Sequence, residues 1–317
     1  MQYSPIHKIS KPARTALRIA GLVLVAGLAS FAFTHASAQG DRPMPPETAA
    51  PATSPQIDGI AHIALRVKDI AASVAFYHKL GFDHPFDRKT GDVVTTSFIK
   101  INDTQFIELY PATGATPDQT TPAFLHLCFE GADLNALHDS YVAEGLTPTA
   151  VRTAGAGNGL FTMPGPMQLS TPQNIEYTQY MPGSLHSKDV GQHLGPDRVG
   201  QKMTVVALAM QDPAAARTFY LSKLGFTPSK INPARLDLPG TSGESVEIVP
   251  AADLGPRSSI VIESADLDKA AAQLTRQQVE FKRASASTTD NTGKTRTLDM
   301  ISVTDPDGNI LRIAQTK

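Results

Sequence analysis

His62-Ile63-Ala64-Leu65-Arg66-Val67-Lys68-Asp69, followed by Phe76-Tyr77-His78-Lys79-Leu80-Gly81-Phe82, recurs as Val205-Val206-Ala207-Leu208-Ala209-Met210-Gln211-Asp212 followed by Phe219-Tyr220-Leu221-Ser222-Lys223-Leu224-Gly225-Phe226. Self-similarity over that distance makes the two halves copies of one ancestor and must be read before any motif. A second phrase repeats behind each copy: Phe124-Leu125-His126-Leu127-Cys128-Phe129-Glu130-Gly131-Ala132-Asp133-Leu134 and Ile260-Val261-Ile262-Glu263-Ser264-Ala265-Asp266-Leu267. Each half therefore holds two units. A unit opens with an alternating strand, after which an Asp (Asp69, Asp212) supplies an N-cap and a Gly (Gly81, Gly225) stops the helix. Further β-rich segments follow, such as Val93 to Ile101 and Gln105 to Tyr110. The reading is an α+β fold with the unit βαβββ repeated four times.

Strand alternation assigns faces. Ile63, Leu65 and Val67 share the side that packs on the helices, while His62, Ala64 and Arg66 share the other. Ile107 and Leu109 oppose Phe106, Glu108 and Tyr110; Leu125, Leu127 and Phe129 oppose His126 and Cys128. A sheet whose free face carries His and Glu implies a concave polar site.

Over residues 59–317 the chain resembles the vicinal oxygen chelate superfamily, which includes glyoxalase I, extradiol dioxygenases and bleomycin-resistance proteins. The resemblance rests on His62-Ile63-x-Leu65-x-Val67, Ser73, Phe76-Tyr77 and Leu80-Gly81-Phe82, and less strictly on His126-Leu127-Cys128-x-Glu130-x-x-Asp133. It implies that the four modules form two cup-shaped, eight-stranded domains, residues 58–182 and 201–317, with a connector at 183–200. His186 and His193 read as linker residues of that connector. The resemblance also implies metal ligands from the first and last strand of each unit: His62, Glu108, His126 and Glu176. Two imidazoles and two carboxylates suit one divalent ion per chain, Fe, Mn, Ni, Co or Zn.

The second half reads as degenerate. Aligning the copies sets Val205 against His62, Glu247 against Glu108, Ser259 against His126 and Arg312 against Glu176, and only Glu247 keeps a ligand type. Only adjacent pairing of units within each half gathers four ligands. Cys128 reads as a small filler, and Asp305-Pro306-Asp307-Gly308-Asn309 as the turn before the last strand.

By the same resemblance, Glu176, and after it Glu108, are the candidate catalytic bases. Arg66 and Tyr110 are candidate substrate-binding residues, Arg66 either holding an anion or pairing with a carboxylate of the cup wall. The implied activity is a metal-dependent lyase or isomerase acting on a small oxygenated molecule. An Fe(II) extradiol-type dioxygenase and a ligand-sequestering protein are the alternatives. Departures limit a glutathione reading: Leu109-Tyr110-Pro111-Ala112 follows Glu108 where Leu-Thr-x-Asn is the pattern, and Thr171-Pro172-Gln173-Asn174-Ile175-Glu176 lacks the Asp-Pro-x-Gly turn.

At 41% hydrophobic and 18% charged residues the chain is ordinary globular material. Lys8, Lys11, Arg14 and Arg18 precede an uncharged run from Ile19 to Phe33 and then Ala36-Ser37-Ala38, the layout of a secretory signal over residues 1–38. Its removal takes four basic and no acidic residues, and the formal charge goes from −2 to −6. Nucleic acid is thus not an expected partner, no stable membrane anchor is expected after cleavage, and the location reads as periplasmic or secreted. Residues 39–57 read as a Pro/Ala-rich linker. Cys128 alone cannot form an intrachain disulfide. A monomer and a homodimer both fit four units in one chain.

Overall fold

The computed structural model describes residues 57–290 and 292–315. The signal expected at 1–38, and all of the linker before Ile57, lie outside them. The first half runs β1 (Gly59–Val67), α1 (Ile70–Lys79), β2 (Asp83–Thr90), β3 (Val93–Lys100), β4 (Phe106–Pro111), α2 (Pro117–Thr120), β5 (Ala123–Glu130), α3 (Leu134–Ala143), β6 (Arg152–Thr153), β7 (Gly159–Met167) and β8 (Pro172–Gln179). A short helix α4 (Leu185–Lys188) leads to the second half: β9 (Lys202–Met210), α5 (Pro213–Lys223), β10 (Thr227–Pro228), β11 (Arg235–Asp237), β12 (Ser245–Pro250), α6 (Ala251–Leu254), β13 (Ser259–Glu263), α7 (Leu267–Arg276), β14 (Lys282–Thr289), β15 (Thr295–Thr304) and β16 (Ile310–Gln315).

Four βαβββ units are evident, and they pair within each half. The first sheet has the order β2-β3-β4-β1-β5-β8-β7-β6 and the second β10-β11-β12-β9-β13-β16-β15-β14. In both, the first strands of two successive units run antiparallel at the centre, and each lies parallel to the last strand of its own unit. Each sheet is therefore a pseudo-twofold object built around β1/β5 or β9/β13.

Local chemistry accounts for the helices. Asp69, Asp133, Asp212 and Asp266 sit in extended conformation and accept from backbone N–H groups of the first helical turn. Gly81 ends α1 at a φ of 82°. A Cβ there would also lie 2.5 Å from the Asp197 carbonyl oxygen, so the position requires glycine for conformation and for space.

Ile63, Leu65 and Val67 join Tyr77, Leu80, Ile107 and Leu127 in a core that continues through Val206, Leu208 and Ile313 of the second half. Burying each such aliphatic side chain contributes roughly 1.5–3 kcal/mol, so the shared core locks the halves together. Polar reciprocity reinforces it. The Tyr77 hydroxyl donates to Asp305 Oδ2 at 3.1 Å, and the Tyr220 hydroxyl donates to Gln173 Oε1 at 2.9 Å. Met203 N donates to Gln105 Oε1 at 2.7 Å, Ile60 N donates to Glu244 Oε2, and Gln105 Nε2 joins the two by donating to Glu244 Oε1 at 3.1 Å. The loop before β4 thus tethers β9, and the loop before β12 tethers β1.

The connector is folded onto this body. Lys100, fully buried, reaches Asp189 Oδ2 at 2.8 Å and the carbonyls of Asp189 and Gln192 at 2.6 and 2.7 Å. Val199 N donates to the Leu80 carbonyl at 3.0 Å.

One acid at this joint carries a pH signature. Burial, with Asp58 and Glu244 nearby, pushes the Glu130 carboxyl up to about 7 from its ordinary 4.5. A raised carboxyl contributes stability fully below about pH 4.5 and loses it as pH rises through about 7. Glu130→Gln, which resembles the protonated acid, is expected to raise the thermal unfolding midpoint at pH 8 and to leave it nearly unchanged at pH 4.5, as followed by circular dichroism.

Candidate metal centre

The strand register places the four predicted ligands on the four central strands of the first sheet. Ala64 on β1 pairs with Glu108 on β4 and with His126 on β5; Cys128 on β5 pairs with His62 on β1 and with Glu176 on β8. Two small side chains, Ala64 and Cys128, hold the middle of the cup face, and the four larger ones surround them. His62 Nε2 lies 3.2 Å from His126 Nε2, 3.5 Å from Glu108 Oε1 and 3.3 Å from Glu176 Oε1. His126 Nε2 lies 3.9 Å from the same Glu176 oxygen. His62 is 1% exposed, Glu108 6% and His126 8%, with Glu176 somewhat more open, so the centre is screened from water but reachable on the Glu176 side.

Burial and the two carboxylates act in opposition on the imidazoles of the site. Burial drives His62 down, yet Glu108 and Glu176 outweigh it and leave its pKa raised. Burial dominates at His126, which stays lowered despite Glu176. For Glu176 burial acts upward, but His126 and His62 hold the carboxyl down to about 2. Two imidazole nitrogens and two carboxylates converging in so small a volume have more lone pairs than protons to share among them. A divalent cation resolves that imbalance, and among the described residues the His/Cys/Asp/Glu groups spaced to hold one are His62, Glu108 and His126, and His62, Cys128 and Glu176.

Tyr110 and Arg66 have definite engagements. The Tyr110 hydroxyl donates to Glu108 Oε2 at 2.6 Å, fixing the carboxylate whose other oxygen faces His62, and burial together with Glu108 raises the phenol pKa. Among the described residues Arg66 makes no ion pair with a carboxylate of the cup wall. Its Nη1 donates to the carbonyls of Asp118 and Thr121 at the end of α2. Carbonyls left without intrahelical partners carry the negative end of the helix dipole, which suits a guanidinium. Cys128 is buried, and burial, Glu176 and Glu108 push its thiol well above the ordinary range.

His186 departs from the linker reading. It is 2% exposed and stacks on Tyr180 at a centroid distance of 4.5 Å. It meets Phe86, Phe98 and Phe106 edge-on at 5.3, 5.3 and 4.8 Å. Phe106 pairs with His62 and Phe98 with Glu108, so this aromatic cluster closes the cup beside the ligands. Burial lowers the His186 pKa to about 3, leaving a neutral ring. The alternation of Phe98 and Phe106 onto the cup face was a usable signal for the cluster; nothing local to Ser184-Leu185-His186 announced which wall it would meet. His193 stays part-exposed, bonded to Asp189 Oδ1 at 2.5 Å.

Fold and site together define a two-cup α+β protein with, among the described residues, one candidate centre for a divalent ion. Residues 59–176 and 202–313 match the Glyoxalase/Bleomycin resistance protein/Dioxygenase superfamily, and the chain belongs to that superfamily. Among solved structures it is similar to the Mn(II)-bound glyoxalase from Novosphingobium aromaticivorans, with 15% identity over 82% of each chain and a TM-score of 0.61. It is also similar to the 2,3-dioxygenase LapB from Pseudomonas sp. KL28, with 15% identity over 83% of this chain and 94% of that one and a TM-score of 0.59. An extradiol ring-cleaving dioxygenase from B. fuscum gives 16% identity over 84% and 75%, with a TM-score of 0.58. At these identities the likeness is one of fold. Among curated proteins, none matches the sequence.

Removing either imidazole should empty the centre. His62→Ala and His126→Ala are each expected to lower bound metal at least ~10-fold, since even residues behind a ligand are worth 10–100-fold in affinity. Elemental analysis of the purified variants against wild type reads the result, with a circular-dichroism spectrum to show that each is folded.

Proposed function

We propose that the first cup holds one divalent cation through His62, Glu108, His126 and Glu176, and that the protein is a glyoxalase-like lyase or isomerase of a small oxygenated molecule. The observation that carries this reading is the donor set itself, two imidazoles and two carboxylates around Ala64 and Cys128. A bound divalent ion would supply Lewis acidity toward neighbouring substrate oxygens.

The chain's own residues divide the remaining work. Glu108 is pinned at Oε2 by Tyr110, which favours a fixed structural role. Glu176 is held through Oε1 by His62, is ionised at neutral pH and lies on the more open side of the centre. It is therefore the better placed of the two to take a proton from a carbon next to a bound oxygen and return it one atom away. The aromatic cluster of Phe86, Phe98, Phe106 and Tyr180 shuts the far side of the cup, which favours a small substrate and keeps bulk water from the transferred proton. The basic residues before the apolar run Ile19 to Phe33, with Ala36-Ser37-Ala38 behind it, support export to a periplasmic or extracellular location.

The test is a screen of the metal-loaded protein against α-hydroxycarbonyl compounds and thiohemiacetals, read by isomerisation or bond cleavage, with oxygen consumption on a catechol panel run in parallel. The reading expects turnover without oxygen uptake, lost by roughly 100-fold or more per bound metal ion in Glu176→Gln, in the range of a missing general base. Oxygen uptake on a catechol would replace it with ring cleavage. Tight ligand capture with no turnover would replace it with sequestration.

A further inference from the structure

The second cup repeats the register of the first with different chemistry. Ala207 is flanked by Glu247 and Ser259, and Val261 by Val205 and Arg312, the same places that surround Ala64 and Cys128. Arg312 thus stands where Glu176 stands, and its Nη1 donates to the Oγ of Ser259, which stands where His126 does. A guanidinium spans two of the former ligand positions. Over it opens a cavity of about 730 Å³ whose lining includes Val205, Arg235, Glu247, Val261, Met300 and Arg312.

Accounting for charge shows what this cavity lacks. Glu247 faces Arg235, with Nε 3.5 Å from Oε2; Asp237 accepts from Ser245 Oγ at 2.8 Å; Glu244 holds Lys202 at 3.3 Å. Glu263, the remaining carboxylate of the lining, has a partner as well, and Lys230 adds a further cation to the wall. Arg312 has no ion-pair partner among the described residues, although it is only part-exposed, and four of its five N–H donors remain after Ser259. The Arg235 Nε, buried, lacks a hydrogen bond of good geometry as well. Beside these donors Val205, Val261 and Ala314, with Leu298 and Met300 against them, make a small apolar cluster separate from the main core.

We infer that the second cup is a metal-independent binding site for a small organic carboxylate, its carboxylate paired with Arg312 and its apolar body laid on the Val205–Val261–Met300 wall. A planar guanidinium matches a carboxylate through two parallel hydrogen bonds, and a partly desolvated setting strengthens both. The fixed cation of Arg312 takes over in this cup the task of a positive centre. The site rests on residues of the second half and stands apart from the reading of the first cup.

Isothermal titration of the full chain in EDTA tests it, with phenylacetate and octanoate as probes and phenylacetamide and inorganic phosphate as controls. The expected result is one phenylacetate or octanoate per chain, little phenylacetamide or phosphate, and a loss of roughly 10-fold or more in Arg312→Gln, the size of a lost charge-assisted pair. Arg312→Lys should recover part of the binding, and His62→Ala, which alters only the first cup, should leave it intact. Leu298→Trp, which adds bulk to the cavity without touching the guanidinium, should also weaken binding and carries the test should Arg312→Gln not fold. The inference is overturned if wild type binds neither carboxylate at millimolar concentration, if phosphate binds as well as they do, if His62→Ala abolishes binding, or if binding survives unchanged in the folded Arg312 or Leu298 variants.

Discussion

The antiparallel pairing of β1 with β5 is the constraint on which the rest depends. It puts Ala64 and Cys128 side by side at the centre of the cup and brings a parallel strand, β4 or β8, against each outer edge. Because strand side chains alternate, one register decides which residues face the cup, and a slip of one residue would turn His62 and His126 into the core and Ile63 and Leu127 out of it. The apolar face of the same strands is anchored in a core shared by both halves. Function and stability are thus two faces of one register.

That arrangement carries a cost. Two imidazoles and two carboxylates withdrawn from water are expensive to leave uncompensated, and buried charge of this kind is weak evidence for stability. Burial lowers both imidazoles, but Glu108 and Glu176 leave His62 raised while His126 stays lowered. The second cup meets the same electrostatic problem differently. With Val205 and Ser259 in place of the imidazoles and Arg312 in place of Glu176, the positive group is covalently part of the chain. Duplication left one scaffold with two solutions, and the reciprocal tyrosine bonds at Asp305 and Gln173 show how closely the halves still correspond.

Much of this was legible in the chain, for identifiable reasons. Repeats report the number of units, and Asp-capped helices closed by glycine report their limits, because both are local or periodic signals. Two-residue alternation placed His62, Glu108 and His126 on one face without knowledge of any partner strand. Glu176 was harder, since its strand lacks the turn that precedes β16, and it is the pairing with Cys128 that locates it. What the sequence hid was long-range. Arg66 has the right face, but its acceptors are the carbonyls of Asp118 and Thr121, in and just after α2 and some fifty residues away, which no periodicity reveals. The connector read as a plain link because it contains Gly183, Gly191, Gly195, Pro196 and Gly200. Its order comes from Lys100, ninety residues upstream, and from the aromatic cage that receives His186.

The central claim is that one cup binds a divalent ion through four named side chains while its copy does so not at all. An anomalous-difference map from crystals grown with Mn(II) tests it most directly. The account predicts a single strong peak per chain, within bonding distance of the Nε2 atoms of His62 and His126 and of a carboxylate oxygen from each of Glu108 and Glu176. A peak beside Glu247 and Arg312, or none at the first cup in a crystal whose protein is otherwise well ordered, would contradict it.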